Sequence, residues 1–582
     1  MEFEQKAEEK KMSMSKNIAR LAVTAGLTAA LSFGGVMAPV TMAFAEGGST
    51  VTFEDSYSST TTYKGIQIFA ANVSGSTAAN IQWAGANETQ KENIQKAVVQ
   101  AIDSWSVANG MGNYTNENAQ DAAEWLCANA NVDGDNSRVA SDNVLNKIAE
   151  KLSTEGANWK ETTQGKNTLD DLDAGYWLFL TASVKNPTEG SVASQSTDAF
   201  TSPIFKLVDG VTPVKIAPKK KIPTVEKAIL NDRDEKKQGG YTAQEGWSNF
   251  ADSQMGQKVS YKLTGTIADN YATYDTYTYK FTDTLSQGLT YAKGSLEVYA
   301  LNGQSYTKIN QDSYDAVEPA GGNGVLTVNF DKGNGLKSAT AANDDETLKI
   351  DAETKIVVFY KAELNSKASY EDSGNENNVY LEYSNNPMAV GTGKSVTKGV
   401  TDHVFRLDVT KVDKDHPETK LQAGFKVKVV ANEDDASVDK WLASDGSFVN
   451  TEQEAYEFTT SSGTDTIYIP GLDAGKYLIS ETTTPAGYNT IAPFEITVTP
   501  KYKDNGQLDT LTVSSNNAEM TAIGDANGAT MPLTIKNKKG SNLPLTGLNG
   551  VTFTWIAGGA VLCIGVAHLI RSRKQAEESE QE

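Results

Sequence analysis

Three polar residues near the C-terminal end of the chain fall on the apolar faces of predicted strands. Lys411 lies in the apolar phase of FRLDVTKVD, Glu481 in that of YLISE and Asn537 in that of MPLTIKN. Because successive side chains of a strand point to opposite faces, we expect all three to face one domain core.

A second set of the same kind lies upstream. Lys227 shares the apolar phase of TVEKAI, Asp283 that of YKFTDTL and Asn377 that of NNVYLEY. Asn378 and Asn385 are alternatives to Asn377; Asn385 also falls in the inward phase, whereas Asn378 does not. Both sets therefore contain an early lysine, a middle acid and a late asparagine.

These residue types can form an intramolecular amide bond. Burial lowers the pKa of a lysine, so that a neutral amine becomes the nucleophile, and it raises the pKa of a carboxyl group, which can then polarise the asparagine carbonyl. Positioning on neighbouring strands supplies the effective concentration, and ammonia leaves. The alternative is a buried ion pair with an asparagine hydrogen bond.

The first part of the chain lacks the acid. LDAGYWLFLT (172–181) and LDAGKYLISE (472–481) share four letters before an apolar strand, and Thr181 stands where the second copy has Glu481. Lys64 shares a face with Ile66 and Ile68, but no acid occupies the matching position. We therefore predict no such bond there.

Short alternating strands separated by Gly, Asn and Asp turns must position these residues. They predict an all-β chain of tandem Ig-like sandwiches, and two segments with helical spacing predict helical insertions in the first. The predicted divisions are a signal peptide (1–45), an N-terminal domain (46–215), an isopeptide domain (216–400), a third β domain (401–540) and a C-terminal signal (541–582).

Composition narrows the function classes. The 582 residues carry a net charge of −22, which argues against nucleic-acid binding. Cys127 and Cys563 are the two cysteines, Cys563 lies in an apolar tail, and the three histidines are scattered. We therefore expect no structural disulfide in the soluble part, no metal, no cofactor and no enzyme activity.

The N-terminus predicts export. Basic residues precede the apolar run LAVTAGLTAALSFGGVMAPV, and Ala43-Phe44-Ala45 forms an A-x-A cleavage site before Glu46. This pattern is typical of a secretory signal peptide.

The C-terminus predicts covalent anchoring. A pentapeptide precedes an apolar segment of membrane-spanning length (551–570) and the basic residues RSRK. The pentapeptide is Leu543, Pro544, Leu545, Thr546 and Gly547. The composite resembles the cell-wall sorting signal (LPxTG) of Gram-positive surface proteins, in which sortase cleaves between Thr and Gly and forms an acyl-enzyme at the threonine.

Further motifs resemble sortase-assembled major pilins of the SpaA type. YLISETTTPAGY resembles their E-box, with Glu481 as its acid, and VTKVD and IKNKK match the ends of a Cna-B-type domain. VEKAI, FTDTL and NNVYLEYSNNP resemble the isopeptide domain of backbone pilins. The resemblance implies Lys227–Asn377 and Lys411–Asn537 bonds, promoted by Asp283 and Glu481.

The resemblance also implies a lysine that links subunits. VKIAPKKKIP lies at the expected junction, and Lys219 matches the lysine of the pilin motif, although Ala217 replaces its usual aromatic residue. Lys215, Lys220 and Lys221 are alternatives.

The implied function is a major pilin, polymerised head to tail by a class C sortase from Lys219 to Thr546 of the next subunit. The implied partners are identical subunits, minor pilins, peptidoglycan through a housekeeping sortase, and host receptors in adhesion. The product would be a surface pilus on a Gram-positive cell wall. The alternative function is a monomeric wall-anchored adhesin, or a minor tip or base pilin, with the same sorting signal.

Overall fold

The computed structural model describes most of residues 48–540. Within that range the exceptions are 58, 131–141, 155–156, 187–194, 219, 232–233, 236–239, 269, 322–323, 344, 433–436, 461–464, 518–519 and 523–527. No helix within the described part of the chain is long and apolar enough to cross a membrane.

The first region combines two sheets with three helices. Its strands are β1 (Ser49–Phe53), β2 (Thr61–Ser74), β3 (Thr77–Trp83), β4 (Lys160–Glu161), β5 (Thr168–Leu172), β6 (Gly175–Val184), β7 (Ile204–Val208) and β8 (Val214–Ile216). One sheet has the order β5-β1-β8, and the other has the order β3-β2-β6-β7 with β4 beside β2. The first and last strands, β1 and β8, pair in parallel.

The helices are α1 (Glu88–Ala108), α2 (Ala119–Asn129) and α3 (Val144–Thr154). Asn87 and Asn118 cap the first two, because their side-chain oxygens accept hydrogen bonds from the first-turn amides. The apolar side of the helices packs on the five-stranded sheet in one core. The sequence predicted α1 and α2, whereas it did not predict α3.

The second region is a sandwich with thirteen strands among its described residues. They are β9 (Val225–Ile229), β10 (Phe250–Asp252), β11 (Lys258–Thr266), β12 (Tyr279–Leu285), β13 (Leu289–Tyr291), β14 (Glu297–Asn302), β15 (Ser305–Lys308), β16 (Asp315–Val317), β17 (Val325–Phe330), β18 (Lys355–Leu364), β19 (Asn375–Ser384), β20 (Thr392–Lys394) and β21 (Lys398–His403). One sheet runs β10-β21-β19-β12-β17-β16 with β20 beside β19, and the other runs β15-β14-β18-β11-β9 with β13 beside β18.

The third region is a smaller sandwich. Its strands are β22 (Phe405–Asp413), β23 (Gly424–Asn432), β24 (Trp441–Leu442), β25 (Phe448–Val449), β26 (Phe458–Thr459), β27 (Thr466–Leu472), β28 (Gly475–Thr483), β29 (Phe494–Tyr502), β30 (Leu508–Ser515), β31 (Met520–Ala522) and β32 (Thr530–Asn537). One sheet has the order β27-β22-β32-β31, and the other β25-β24-β23-β28-β29-β30 with β26 beside β23. The first and last strands, β22 and β32, pair in parallel.

Separate hydrophobic cores fill the second and third regions, and two smaller cores fill the first. The architecture is predominantly β, with the helices confined to the first region among the described residues, which confirms the predicted fold class. The repeated LDAG motif makes the same turn twice. Gly175 and Gly475 both have positive φ, 144° and 158°, and each begins a strand in the middle of its sheet, β6 or β28.

Candidate functional site

The structure brings the three predicted residues of the second region together. Lys227 lies on β9 in one sheet, whereas Asp283 and Asn377 lie on the neighbouring strands β12 and β19 of the facing sheet. Lys227 Nζ lies 2.5 Å from Asp283 Oδ1 and 2.7 Å from Asn377 Oδ1. The site therefore spans the sandwich from sheet to sheet.

Two tyrosines complete this site. Tyr360 Oη donates a hydrogen bond to Asp283 Oδ2 (2.8 Å) and accepts one from Asn377 Nδ2 (2.6 Å). The rings of Tyr261 and Tyr360 stack on each other, with centroids 5.6 and 5.7 Å from Lys227 Nζ. Tyr360 thus joins the acid to the amide of the asparagine.

Burial controls the charges of the second-region site. The side chains of Lys227 and Asp283 are both 0% exposed. Burial lowers the pKa of Lys227 to about 8, although the Asp283 carboxylate opposes this shift. Burial also raises the pKa of Asp283, against the opposing effect of Lys227. Both shifts favour the neutral amine and the neutral acid.

The third-region site uses a different arrangement. Lys411 on β22 and Asn537 on β32 belong to adjacent parallel strands of one sheet, and Glu481 reaches them from β28 in the facing sheet. Lys411 Nζ lies 2.9 Å from Glu481 Oε1, and Asn537 Nδ2 donates to the same oxygen at 3.3 Å. The acid therefore contacts both predicted partners directly.

Two atoms of this site are poorly satisfied. Among the described residues, Asn537 Oδ1 accepts no hydrogen bond, and the contact of Lys411 Nζ with Glu481 lacks hydrogen-bond alignment. The Phe425 ring lies 5.2 Å from Lys411 Nζ. Burial lowers the pKa of Lys411, and the neighbouring Glu481 carboxylate opposes the shift. These features leave a buried amine and a buried amide carbonyl without a hydrogen bond in the same core.

The alternatives to Asn377 lie elsewhere. The Asn378 side chain donates to Glu376, near the surface. Asn385 is buried, but its side chain donates to the backbone oxygen of Asp198 in the first region. Of the three asparagines, Asn377 is the one in contact with Lys227.

The lysines of the junction differ strongly in environment. Lys219, the predicted linking lysine, lies outside the described residues. Lys215 is exposed and pairs with Glu54, and Lys221 is exposed. The Lys220 side chain is 7% exposed and contacts two aspartates of the first region.

Lys64 and Thr181 are not brought together in the first region. Thr181 pairs directly with Tyr63 across β2 and β6, so its side chain lies on the sheet face opposite Lys64. Lys64 Nζ instead lies 4.5 Å from the centre of the Trp159 ring. The predicted signal peptide, the Leu543–Gly547 motif with its Thr546 cleavage point, and segment 551–570 all lie outside the described residues.

Sequence reasoning missed two groups of residues. Tyr360 lies in KIVVFYKAEL, where it shares the apolar phase with Ile356 and Val358, so strand alternation could have found it. The aspartates around Lys220 lie in loops, where alternation gives no signal.

Among the described residues, no group of three or more His, Cys, Asp or Glu side chains is placed to hold a metal ion.

Comparison with known proteins agrees with this geometry in the third region. Residues 405–515 match the family model SpaA, a prealbumin-like fold domain.

The chain is also similar to the trypsin-resistant surface T6 protein of Streptococcus pyogenes serotype M6. The two are 23% identical over 367 residues, which is 61% of this chain; the match spans 57% of the relative's length.

Solved structures of pilins are similar as well. The T6 backbone pilin of serotype M6 Streptococcus pyogenes matches with a TM-score of 0.47 and 15% identity, over 85% of this chain and 99% of that one. The full-length major pilin SpaD of Corynebacterium diphtheriae matches with a TM-score of 0.40 and 15% identity, over 85% of this chain and 98% of that one.

Proposed function

We propose that this chain is the backbone pilin of a Gram-positive surface pilus. The observation that carries the proposal is the pair of buried Lys–acid–Asn sites, in two successive β regions, upstream of a sorting sequence. The similarity to the trypsin-resistant surface T6 protein supports a place on the cell surface.

In this proposal the two sites form amide bonds without any enzyme. In each, neutral lysine Nζ attacks the asparagine Cγ, the acid holds and returns protons, and ammonia leaves as the C–N bond forms. The products are Lys227–Asn377, promoted by Asp283, and Lys411–Asn537, promoted by Glu481. Each bond forms once, so the protein is a self-modifying structural subunit.

A class C sortase then joins the subunits. Its cysteine attacks the Thr546 carbonyl, releases the chain from Gly547 onward, and holds the subunit as a thioester. The ε-amine of Lys219 on the next subunit displaces the cysteine and forms the amide. The finished fibre carries minor pilins, is attached to peptidoglycan by a housekeeping sortase, and supports adhesion.

Boiling in SDS tests the polymer directly. Cells that express the chain with its own sortase should give a ladder of high-mass species, because amide links survive denaturation. Lys219→Ala should abolish the ladder. Lys215→Ala and Lys221→Ala are matched controls, since both lysines are exposed in the same junction.

The outcomes separate the two candidate functions. A wild-type chain that gives no ladder contradicts the backbone-pilin proposal and favours the monomeric adhesin or accessory pilin. A ladder that survives Lys219→Ala but is lost in Lys215→Ala or Lys221→Ala moves the link to that lysine.

A further inference from the structure

Lys220 occupies a buried site that neither the sorting step nor the two Lys–acid–Asn sites use. Its Nζ contacts Asp198 Oδ2 and lies 3.0 Å from Asp55 Oδ2. The three side chains are 7%, 3% and 5% exposed, respectively. An ammonium group is therefore enclosed with two carboxyl groups at the end of the first region.

The surroundings hold both carboxyl groups in place. Tyr63 Oη donates to Asp55 Oδ2 at 2.6 Å, and Thr61 Oγ1 donates to Asp198 Oδ2 at 2.6 Å. The centroid of the Tyr63 ring lies 5.3 Å from Lys220 Nζ. An aromatic ring, a lysine and an acid with a hydroxyl donor also make up the second-region site around Lys227.

The charges of Lys220, Asp55 and Asp198 would not cancel if all three side chains were ionised. Two carboxylates and one ammonium would leave a net negative charge in a nearly dry site, which is costly. Burial raises the pKa of Asp198, although the charge of Lys220 and the hydrogen bonds from Lys220 and Thr61 oppose the shift. Burial thus favours the protonated form of Asp198, and a protonated carboxyl group is an acyl acceptor for an amine.

We infer that Lys220 and Asp198 form an intramolecular amide bond, assisted by Asp55. This third bond differs from the two Lys–Asn bonds because the acceptor is a carboxyl group and water leaves instead of ammonia. It also departs from the sequence prediction of no bond in the first region, which considered Lys64 and Thr181 instead.

The reaction balances with the groups present. The Lys220 ammonium gives one proton to the Asp55 carboxylate, and the neutral Nζ attacks Cγ of protonated Asp198. The C–N bond forms, the C–OH bond breaks, and a second Nζ proton leaves with the hydroxyl as water. The products are a neutral amide, one water molecule and a protonated Asp55, so no buried charge remains.

The bond would fix the contact between the first and second regions. The Asp198 loop is joined to the second region by backbone hydrogen bonds from Thr197 to Lys394 and from Phe200 to Asn385. Asn385 Nδ2 also donates to the Asp198 backbone oxygen. Lys220 follows the proposed linking residue Lys219, so the bond would anchor that residue's segment to the loop. This last consequence rests on the proposed function, whereas the bond itself does not.

Peptide mapping of the full-length chain tests the inference. Trypsin in denaturant should yield peptide 186–206 joined through Asp198 to the dipeptide Lys220-Lys221, with the mass of both less one water. Lys220→Arg keeps the positive charge but cannot form the link, and it should give unmodified 186–206. The matched control Lys221→Arg should still form the link.

The rate at which the Lys220–Asp198 bond forms tests the role of Asp55. Asp55→Asn should form the link at least about 100-fold more slowly, the usual contribution of a positioned acid–base group. The Lys227 and Lys411 cross-links, mapped in the same digest, report whether each variant folds.

Unmodified peptide 186–206 from the wild-type chain would overturn the inference. A link from Lys220 to Asp55 would overturn the choice of acceptor. Because the three cross-links give separate peptides, either failure is distinguishable from failure of the Lys–Asn bonds or of polymerisation.

Discussion

The second and third regions place the same three residue types in two different geometries. In the second region the lysine lies in one sheet and the asparagine in the other, so their bond would join the two layers. In the third region the lysine and asparagine lie on adjacent strands of one sheet, and only the acid comes from the facing sheet. The proposed amide chemistry thus requires that the lysine, the acid and the asparagine lie together in a buried site. It does not require that they come from the same arrangement of strands.

The acid also works through different contacts. Asp283 reaches Asn377 through the hydroxyl of Tyr360, whereas Glu481 accepts a hydrogen bond from Asn537 itself. In the second region the shorter side chain of Asp283 is therefore connected to the asparagine by Tyr360, whereas in the third region the longer side chain of Glu481 contacts the asparagine directly.

Removal of either acid should have the largest effect. Asp283→Ala and Glu481→Ala should each restore the mass of one ammonia, because each leaves its lysine without a proton acceptor. Either loss also leaves a buried charge without its partner and should destabilise its region by about 3–5 kcal/mol. Intact-mass measurement and thermal unfolding check this.

Thr284→Ala, an exposed change on the same strand as Asp283, is the control and should alter neither quantity. A wild-type mass with no ammonia loss would refute both Lys–Asn bonds. Restoration of both losses by a single variant would mean that the two sites are coupled.

Tyr360→Phe should slow the second-region bond alone. It removes the hydroxyl that joins Asp283 to Asn377, and a hydrogen bond to a charged group contributes about 1.5–3 kcal/mol, or roughly a 10- to 100-fold change in rate. Refolding followed by time-resolved mass spectrometry of the cross-linked peptides measures it. The Lys411–Asn537 bond in the same molecule is the control, and equal slowing of both bonds would contradict the relay.

The pH dependence should reveal the buried lysine when its bond cannot form. In Asn377→Ala, Lys227 keeps a pKa of about 8 in the folded state, below the ordinary value of 10.5. The unfolded state then binds more protons between these values, so the stability of the second region should rise with pH, by up to about 1.4 kcal/mol per pH unit.

Pulse proteolysis between pH 8 and 10.5, with fragment identification, checks this slope. Adding Lys227→Met should remove it, because no titrating group remains at that position. A slope that persists in the double variant would assign the effect to another group.

The smallest effect is expected from Asn378→Ala. This side chain lies near the surface and contacts Glu376, so its loss should change stability by less than about 0.5 kcal/mol. Both ammonia losses should remain. A lost ammonia in this variant would mean that Asn378, rather than Asn377, is the partner of Lys227.

Strand alternation was sufficient to predict which strand residues meet in the cores. Lys227, Asp283 and Asn377 come from separate strands, yet each lies in the apolar phase, and one hydrophobic face per strand brings them to one core. Alternation alone could not separate Asn377 from Asn385, because both point inward. Which asparagine lies beside Asp283 and Lys227 depends on its position along the strand. The pairing register between β12 and β19 sets that position.

The Lys220 site could not be predicted in the same way. Asp55 and Asp198 lie in loops, where side-chain direction depends on tertiary contacts rather than on a two-residue period. Helix α3 was missed although its sequence VLNKIAEKLST has helical spacing, with Val144, Ile148 and Leu152 on its buried side.

The parallel pairing of β22 with β32 has a mechanical consequence. A pull that enters the third region at the start of β22 and leaves at the end of β32 drives the two strands past each other in shear. Their hydrogen bonds are then loaded together rather than one by one. A Lys411–Asn537 amide near the far end of this pair would carry the tension between neighbouring strands, and the other described strands of the sandwich would bear little of it.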